Sequence, residues 1–301
     1  MKAIETKLLK KTYGSTPVVK GINLIVEEGE VFGFLGRNGA GKSTFINMLT
    51  GITRPTSGSF TILGVEGPDE RMKKHIGVMP DYSTLFNSMN AIKHLKFLSS
   101  LSGKPVSTTE CQQVLKQVGL ENAGNKKVGK FSFGMKKKLG IAQAIIHDPN
   151  LIFLDEPTSG LDAESALHIH RLISSLKERG KTIFMTSHNL DEVEKICTTI
   201  AIMKDGSIVK SGTMDELRSY YRSAITVELK HAAVPASESQ NLYAWLETAG
   251  SELRRETGFT SITVGSEKKI AEIIRAFTRC QVDIFRVEVN EPSLEEMFLA
   301  E

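Results

Sequence analysis

Cysteine is scarce in this chain: three in 301 residues, Cys111, Cys197 and Cys280. An odd number cannot pair completely, and the three lie far apart without metal-ligand spacing. That excludes a disulfide scaffold and a cysteine-built zinc site, and it fits reduced thiols in a cytoplasm-like compartment. Long apolar runs are lacking too; none approaches the ~20 residues that cross a bilayer. The opening stretch "MKAIETKLLKKTYG" carries no apolar signal segment, so work at a membrane is expected to need another chain as the anchor. A strong charge of either sign is also missing. The net charge of +3 is too small to argue by itself for nucleic acid or an anionic membrane. There is no internal repeat, heptad run or low-complexity tract. What remains, 40% apolar and 24% charged residues, is the composition of a globular protein long enough for one large domain or a core with an appendage.

The hydrophobic pattern divides the chain. Residues 1–35 read as short strands: "INLIVEEGE" turns Ile22, Leu24 and Val26 inward, and "EVFGFLG" runs apolar into a glycine-rich turn. A helix is expected from Lys42 to Leu49, stopped by Gly51. "SGSFTILG" reads as another short strand, and residues 82–147 turn helical. Strands return at 151–155 and 181–186, and "IAIMKDGSIVKSG" is a hairpin with an Asp-Gly turn. Beyond residue 221 the character changes: "AITVEL", "SITVG" and "VDIFRVEVN" read as strands with helices between them, and "EPSLEEMF" as a capped final helix. The expected domains are therefore 1–221 and a small α+β unit, 222–301.

The stretch "GRNGAGKST" fits the G-x-x-x-x-G-K-[ST] phosphate loop. Small residues in the loop Gly36, Arg37, Asn38, Gly39, Ala40 and Gly41 let main-chain N–H groups converge on phosphate oxygens, and the helix that follows adds its positive end. Lys42 reaches the β- and γ-phosphates, the Ser43 hydroxyl suits Mg2+, and Thr44 is the last residue of the motif. This chemistry explains a second oddity. The apolar run Leu151–Leu154 delivers two adjacent carboxylates, Asp155 and Glu156, with Asp162 close behind. Charge repulsion and desolvation penalise acids at a buried strand's end unless a cation compensates, and a metal-bound triphosphate supplies one. Asp155 then fits the acid that holds Mg2+ through Ser43 and water. Glu156 fits the group that polarises a water for attack on the γ-phosphate.

With those motifs in hand, residues 1–220 resemble the nucleotide-binding subunit of an ABC transporter. The resemblance makes "GRNGAGKST" Walker A and "LIFLDE" Walker B. It makes "SGLD" (Ser159–Asp162) the loop that lies across the dimer interface, with Asp162 counted among the residues around the nucleotide. His188, in "TSHNLDE", stands where the family's switch histidine contacts the γ-phosphate. Tyr13 stands where an aromatic stacks on adenine. The family's Leu-Ser-Gly-Gly-Gln signature reads "FSFGM" here, Phe131 to Met135. Ser132 and Gly134 are the positions that meet the γ-phosphate of the other subunit's ATP, while Phe133 adds bulk and Met135 removes a polar side chain. After "HIGVMP" the family has a Gln that touches Mg2+ and the attacking water; this chain has Asp81, shorter and charged, expected to couple the helical subdomain to the site but to position water less well.

Other features read as structural. His168 and His170, two apart on a helix, face different ways and are expected at the surface without metal. Lys136–Lys138 read as a solvated helix face rather than a nucleic-acid patch. The tail "VEVNEPSLEEMFLAE" resembles that of ATPase subunits working with separate permeases in bacterial exporters of drugs, peptide antibiotics and sodium. The expected fold is an α/β P-loop core with a mixed sheet, an antiparallel β portion and a helical subdomain, plus the α+β C-terminal domain. The resemblance implies an ATPase that binds ATP and Mg2+ and closes as a homodimer or heterodimer. It further implies a multi-spanning permease partner on the cytoplasmic side of the membrane, export and no nucleic acid. Two alternatives stand beside it: a soluble ABC ATPase acting on ribosomes or DNA, and a regulatory ATP-binding subunit weakened by Asp81 and "FSFGM".

Overall fold

A computed structural model describes residues 1–79, 85–221 and 225–290, the side chains of 218–221 excepted. The chain forms two compact units, Met1–Met214 and Asp215–Glu301. The first begins with a long antiparallel hairpin of β1 (Lys2–Tyr13) and β2 (Thr16–Glu27). These twelve-residue strands are longer than their alternation suggests, because Leu8 sits at φ 47° and the register slips across it, between Thr6 and Leu9, and again between Leu9 and Lys10. Such a bulge breaks the period-2 signal without ending the strand. Ile22, Leu24 and Val26 do point inward.

Buried β3 (Val31–Leu35) leads to α1 (Lys42–Leu49), which ends as expected ahead of Gly51 at φ 76°. Then come β4 (Ser57–Ile62), β5 (Val65–Glu66), α2 (Glu70–Lys73) and β6 (Ile76–Met79). The helical part holds α3 (Ala91–Leu101), α4 (Thr108–Gln117) and α5 (Phe133–Ile145). Asn90 caps α3 through Lys93 N–H, and Ser107 and Glu110 form a reciprocal capping box on α4.

The remainder alternates strand and helix: β7 (Leu151–Asp155), α6 (Ala163–Glu178), β8 (Thr182–Ser187), α7 (Leu190–Ile196), β9 (Thr199–Lys204) and β10 (Ser207–Thr213), and α8 (Met214–Tyr221) opens the second unit. The turn from β9 to β10 is the expected Asp-Gly pair, Asp205 and Gly206, both at positive φ.

The strands form two sheets. One is antiparallel, β2-β1-β4-β5. The other runs β10-β9-β3-β8-β7-β6, parallel from β9 to β6 with β10 antiparallel at the edge. β3, β7 and β8 are buried along their whole length, as parallel strands covered on both faces must be. Phe184 on β8 lies at the middle of an aromatic cluster, with Phe32, Phe34 and Phe153 at centroid distances of 5.4–5.6 Å and Phe45 of α1 at 6.2 Å. The cluster ties α1 to the strands. Leu35 pairs with Ser187 and Asp155 with Thr186, so the carboxyl ends of β3, β7 and β8 finish level. In open α/β sheets that edge is where ligands bind.

The second unit contains β11 (Ile225–His231), α9 (Ala236–Ala249), β12 (Ser251–Glu256), β13 (Phe259–Val264), α10 (Glu267–Arg279) and β14 (Ile284–Asn290). Its strand order is β12-β13-β11-β14, antiparallel throughout, the split β-α-β arrangement of ferredoxin-like folds. Ile225, Val227 and Leu229 pack with Leu242, Leu246, Ile273 and Phe277 into a core of its own. β12 reads Ser-Glu-Leu-Arg-Arg-Glu and carries no strand signal in sequence; it is a charged edge strand, the kind that resists pairing with other chains. The expected helix at "EPSLEEMF" lies outside the described residues.

Candidate active site

Each of the three level strand ends delivers part of the site. From β3 the chain turns through Gly36–Gly41 into α1. Gly36 is pressed against β9, where a Cβ would stand 2.5 Å from the Met203 carbonyl oxygen. Gly41 forms the N-cap of α1 at φ 107°, a conformation side chains resist. Arg37, Asn38 and Gly39 are exposed at the tip, and Ala40 is buried, its carbonyl accepting from Gly206 N–H at 3.1 Å. Lys42 is only 6% exposed, and its Nζ donates to the Gly36 and Arg37 carbonyls at 2.5 and 3.3 Å. Ser43 is exposed and Thr44 half-buried at the head of α1.

From β7 come the two acids. Asp155 is buried, and one carboxylate oxygen accepts from Thr186 Oγ1 on β8. Glu156 follows at φ 52°, left-handed backbone that a non-glycine residue keeps only when its surroundings hold it there. Its N–H donates to Thr186 Oγ1 at 2.9 Å. Its Oε1 lies 3.5 Å from Lys42 Nζ and, though buried, makes no hydrogen bond. From β8 comes His188, whose Nδ1 meets Glu156 Oε2 at 2.8 Å. A carboxylate only accepts, so Nδ1 carries the proton. Lys42, Asp155, Glu156 and His188 are thus brought together, and the Glu156 carboxylate is held between an ammonium and an imidazole.

Ser132 caps α5, its hydroxyl accepting from Met135 N–H at 3.3 Å. Gly134 borders the loop before α6, where Leu161 Cδ2 would come within 3.2 Å of a Cβ. Asp162 caps α6: its carboxylate accepts from Ser165 N–H at 2.8 Å and Oγ at 2.9 Å. The main-chain donor first, then the hydroxyl, holds its pKa below the usual carboxylate range. Tyr13 belongs to the other sheet, half-exposed at the end of β1, with Lys11 Nζ 4.9 Å from its ring centroid. Asp81 lies outside the described residues.

Two readings from sequence are corrected. Lys137 is 4% exposed rather than solvated, its Nζ donating to the Glu156 carbonyl at 2.5 Å; a run of three lysines hides the one position that the helix turns inward. His168 and His170 are partly buried and partnered, with Gln117 O at 2.7 Å and Glu192 Oε1 at 3.0 Å. Among the described residues no three His, Cys, Asp or Glu side chains form a metal cluster.

Sequence reasoning also missed Glu192. Its carboxylate is buried and accepts from Ser187 Oγ at 2.8 Å, from His170 and from Thr158 Oγ1. It thereby joins the loop after β7 to the one carrying His188. Its spacing from the helix cap Asn189 marks it as a capping acid, a signal that points outward.

This is the construction of an ATP-binding cassette, and comparison with known proteins agrees. A family model described as ABC transporter matches residues 19–159. The chain is 32% identical to the linearmycin resistance ATP-binding protein LnrL of Bacillus subtilis, over 98% of this chain and 97% of that one. It is 34% identical to the bacitracin transport ATP-binding protein BcrA of Bacillus licheniformis, over 98% and 96%. Among solved structures, the ATP-binding cassette MJ0796 in a dimeric post-hydrolysis state with ADP and Pi aligns with a TM-score of 0.66 and 25% identity, covering 70% of this chain and 98% of that one. The chain belongs to the ABC transporter family of ATP-binding proteins, and it is an ATP-binding, ATP-hydrolysing subunit of that kind. The ribosome-directed alternative finds no support.

Proposed function

We propose that this subunit powers export through a separate multi-spanning permease, working as a closing dimer on the cytoplasmic face of the membrane. The observation that carries the chemistry is the convergence of Lys42, Asp155, Glu156 and His188 on one sheet edge, with the Glu156 carboxylate lying between the Lys42 ammonium and the His188 imidazole. Main-chain N–H groups of residues 36–41 and the Lys42 ammonium hold the triphosphate. The donor set fits Mg2+, a hard cation that takes oxygen ligands. Ser43 offers an exposed hydroxyl, and Asp155 has one oxygen committed to Thr186 and the other available. Bound there, the ion neutralises charge on the β- and γ-phosphates. Glu156 Oε1, buried and without a hydrogen bond, is the acceptor for the proton of the attacking water. His188 orients the other oxygen and reaches toward the γ-phosphate.

Ser132 and Gly134 at the head of α5 serve the second subunit's ATP, and Asp162 and its loop line the shared interface. Tyr13 stacks on adenine. Asp81 couples the helical region to the metal and the water. The cassette comprises residues 1–221, and 222–301 form an accessory domain. No helix among the described residues is long and apolar enough to cross a membrane, which supports a partner as the anchor. Export is supported by relatives named for bacitracin transport and linearmycin resistance.

The test uses tagged full-length Glu156→Gln with Mg-ATP in detergent-solubilised membranes of the source organism. Turnover is expected to fall by ~10²-fold or more, the scale of a general base, with a stoichiometric polytopic membrane protein retained. Wild-type turnover overturns the role of Glu156. Ribosomal partners without a membrane protein overturn the transport reading.

A further inference from the structure

Glu156 keeps its left-handed conformation because its main chain is held on both sides. Thr186 Oγ1 accepts its N–H at 2.9 Å, and Lys137 Nζ donates to its carbonyl at 2.5 Å. The first grip comes from the neighbouring strand. The second comes from α5, the helix that begins at the "FSFGM" turn. An ammonium this buried is costly unless its partners repay the lost water, so its presence under α5 calls for a reason.

Phe133, at the start of the same helix, rests on the other end of the Glu156 loop. A Cβ built on Gly160 would stand 2.6 Å from Phe133 Cε1, and Gly160 is at φ 74°. The Phe133 ring is also 6.0 Å from Lys137 Nζ. The bulky residue of the altered signature therefore packs against the chain's own loop, and the N-terminal end of α5 holds residues 156–160 at both ends.

We propose that Lys137 is a positioning residue for Glu156: by fixing the carbonyl of a left-handed residue it keeps the carboxylate aimed between Lys42 and His188. The helix whose tip carries Ser132 and Gly134 thus acts on the hydrolytic carboxylate of its own chain, with Phe133 as a second hold. This rests on Glu156 being the base. Without the ammonium the Glu156 carbonyl loses a donor and the loop relaxes from a strained conformation. Misplacement of a reacting group by about an ångström costs on the order of 10²-fold in rate.

The experiment measures steady-state ATP turnover and the binding of a fluorescent ATP analogue for full-length wild type, Lys137→Met, Lys137→Gln and Glu156→Gln. Lys137→Met is expected to lower kcat by roughly 10- to 100-fold while KM and analogue affinity stay within about twofold, because nucleotide binding does not use this contact. Lys137→Gln, which keeps a shorter donor, is expected to recover part of the loss. Wild-type kcat in the Met variant overturns the proposal. So does a fall in affinity that matches the fall in kcat, or a Gln variant no better than Met. Should the Met variant not fold, the Gln variant decides alone, a kcat equal to wild type overturning the proposal. Slow Glu156→Gln beside fast Lys137→Met sinks only this inference, whereas fast Glu156→Gln sinks the reading of the base itself.

Discussion

Ser187 Oγ donates to Glu192 Oε2 at 2.8 Å, so the residue next to His188 is tied to a carboxylate buried in α7. The same carboxylate holds Thr158, two residues past Glu156, and His170 of α6. Two loops that must keep a fixed spacing around the phosphate are joined through one side chain.

Glu192→Leu removes the acceptor of three donors at once. Unsatisfied buried polar groups cost about 1–3 kcal/mol each, less where water or a neighbour substitutes. A loss of about 2–4 kcal/mol in urea denaturation is expected. Glu192→Gln, which keeps an acceptor oxygen, should lose less. A Leu variant as stable as wild type would remove Glu192 from the framework of the site.

Phe184→Ala opens the middle of the aromatic cluster between β3, β7, β8 and α1. Truncating a fully buried phenylalanine costs about 3–5 kcal/mol. The expected result is a thermal midpoint lowered by several degrees, with Phe184→Leu in between. Unchanged melting would mean that the cluster contributes little to holding the strand ends level.

His94 and His147 set a pH dependence. Burial pushes both pKa values down from the usual imidazole range, against weaker opposite pulls from Gln143 on His94 and from the Ile76 carbonyl on His147. Between the depressed folded values and about 6.5 the unfolded chain binds protons that the folded chain does not, so stability rises with pH across that window. Denaturation midpoints should therefore fall as pH drops below about 6.5. Replacing both residues with glutamine should flatten that part of the profile; an unchanged slope would assign it to other groups.

Much of the site is legible in sequence because its parts are local. The phosphate loop, α1, the acids ending β7 and the Asp-Gly hairpin each depend on a few adjacent residues whose chemistry has few other uses. The supports are not local. Lys137 reads as one of three solvated lysines until α5 is laid on the loop after β7. Glu192 reads as a helix cap until α7 is turned toward Ser187 and Thr158. Thr186 is one more residue of a buried strand until β7 pairs beside it. In the fold, β12 escapes notice because an edge strand can be charged, and the length of β1 because of the kink at Leu8. What pattern reading misses is mostly what another segment of chain supplies.

The sheet order has one more consequence, for how the chain is born. β3 pairs with β8 on one side and β9 on the other, and both are made long after it. At the usual pace of protein synthesis, roughly 8–30 s separate Leu35 from its partner Ser187 at the ribosome. Throughout that interval an apolar strand and the phosphate loop behind it have neither lateral neighbour. The nascent chain must shelter Val31–Leu35 by other means, against the early β1–β2 hairpin or a chaperone, before nucleotide has a site to enter.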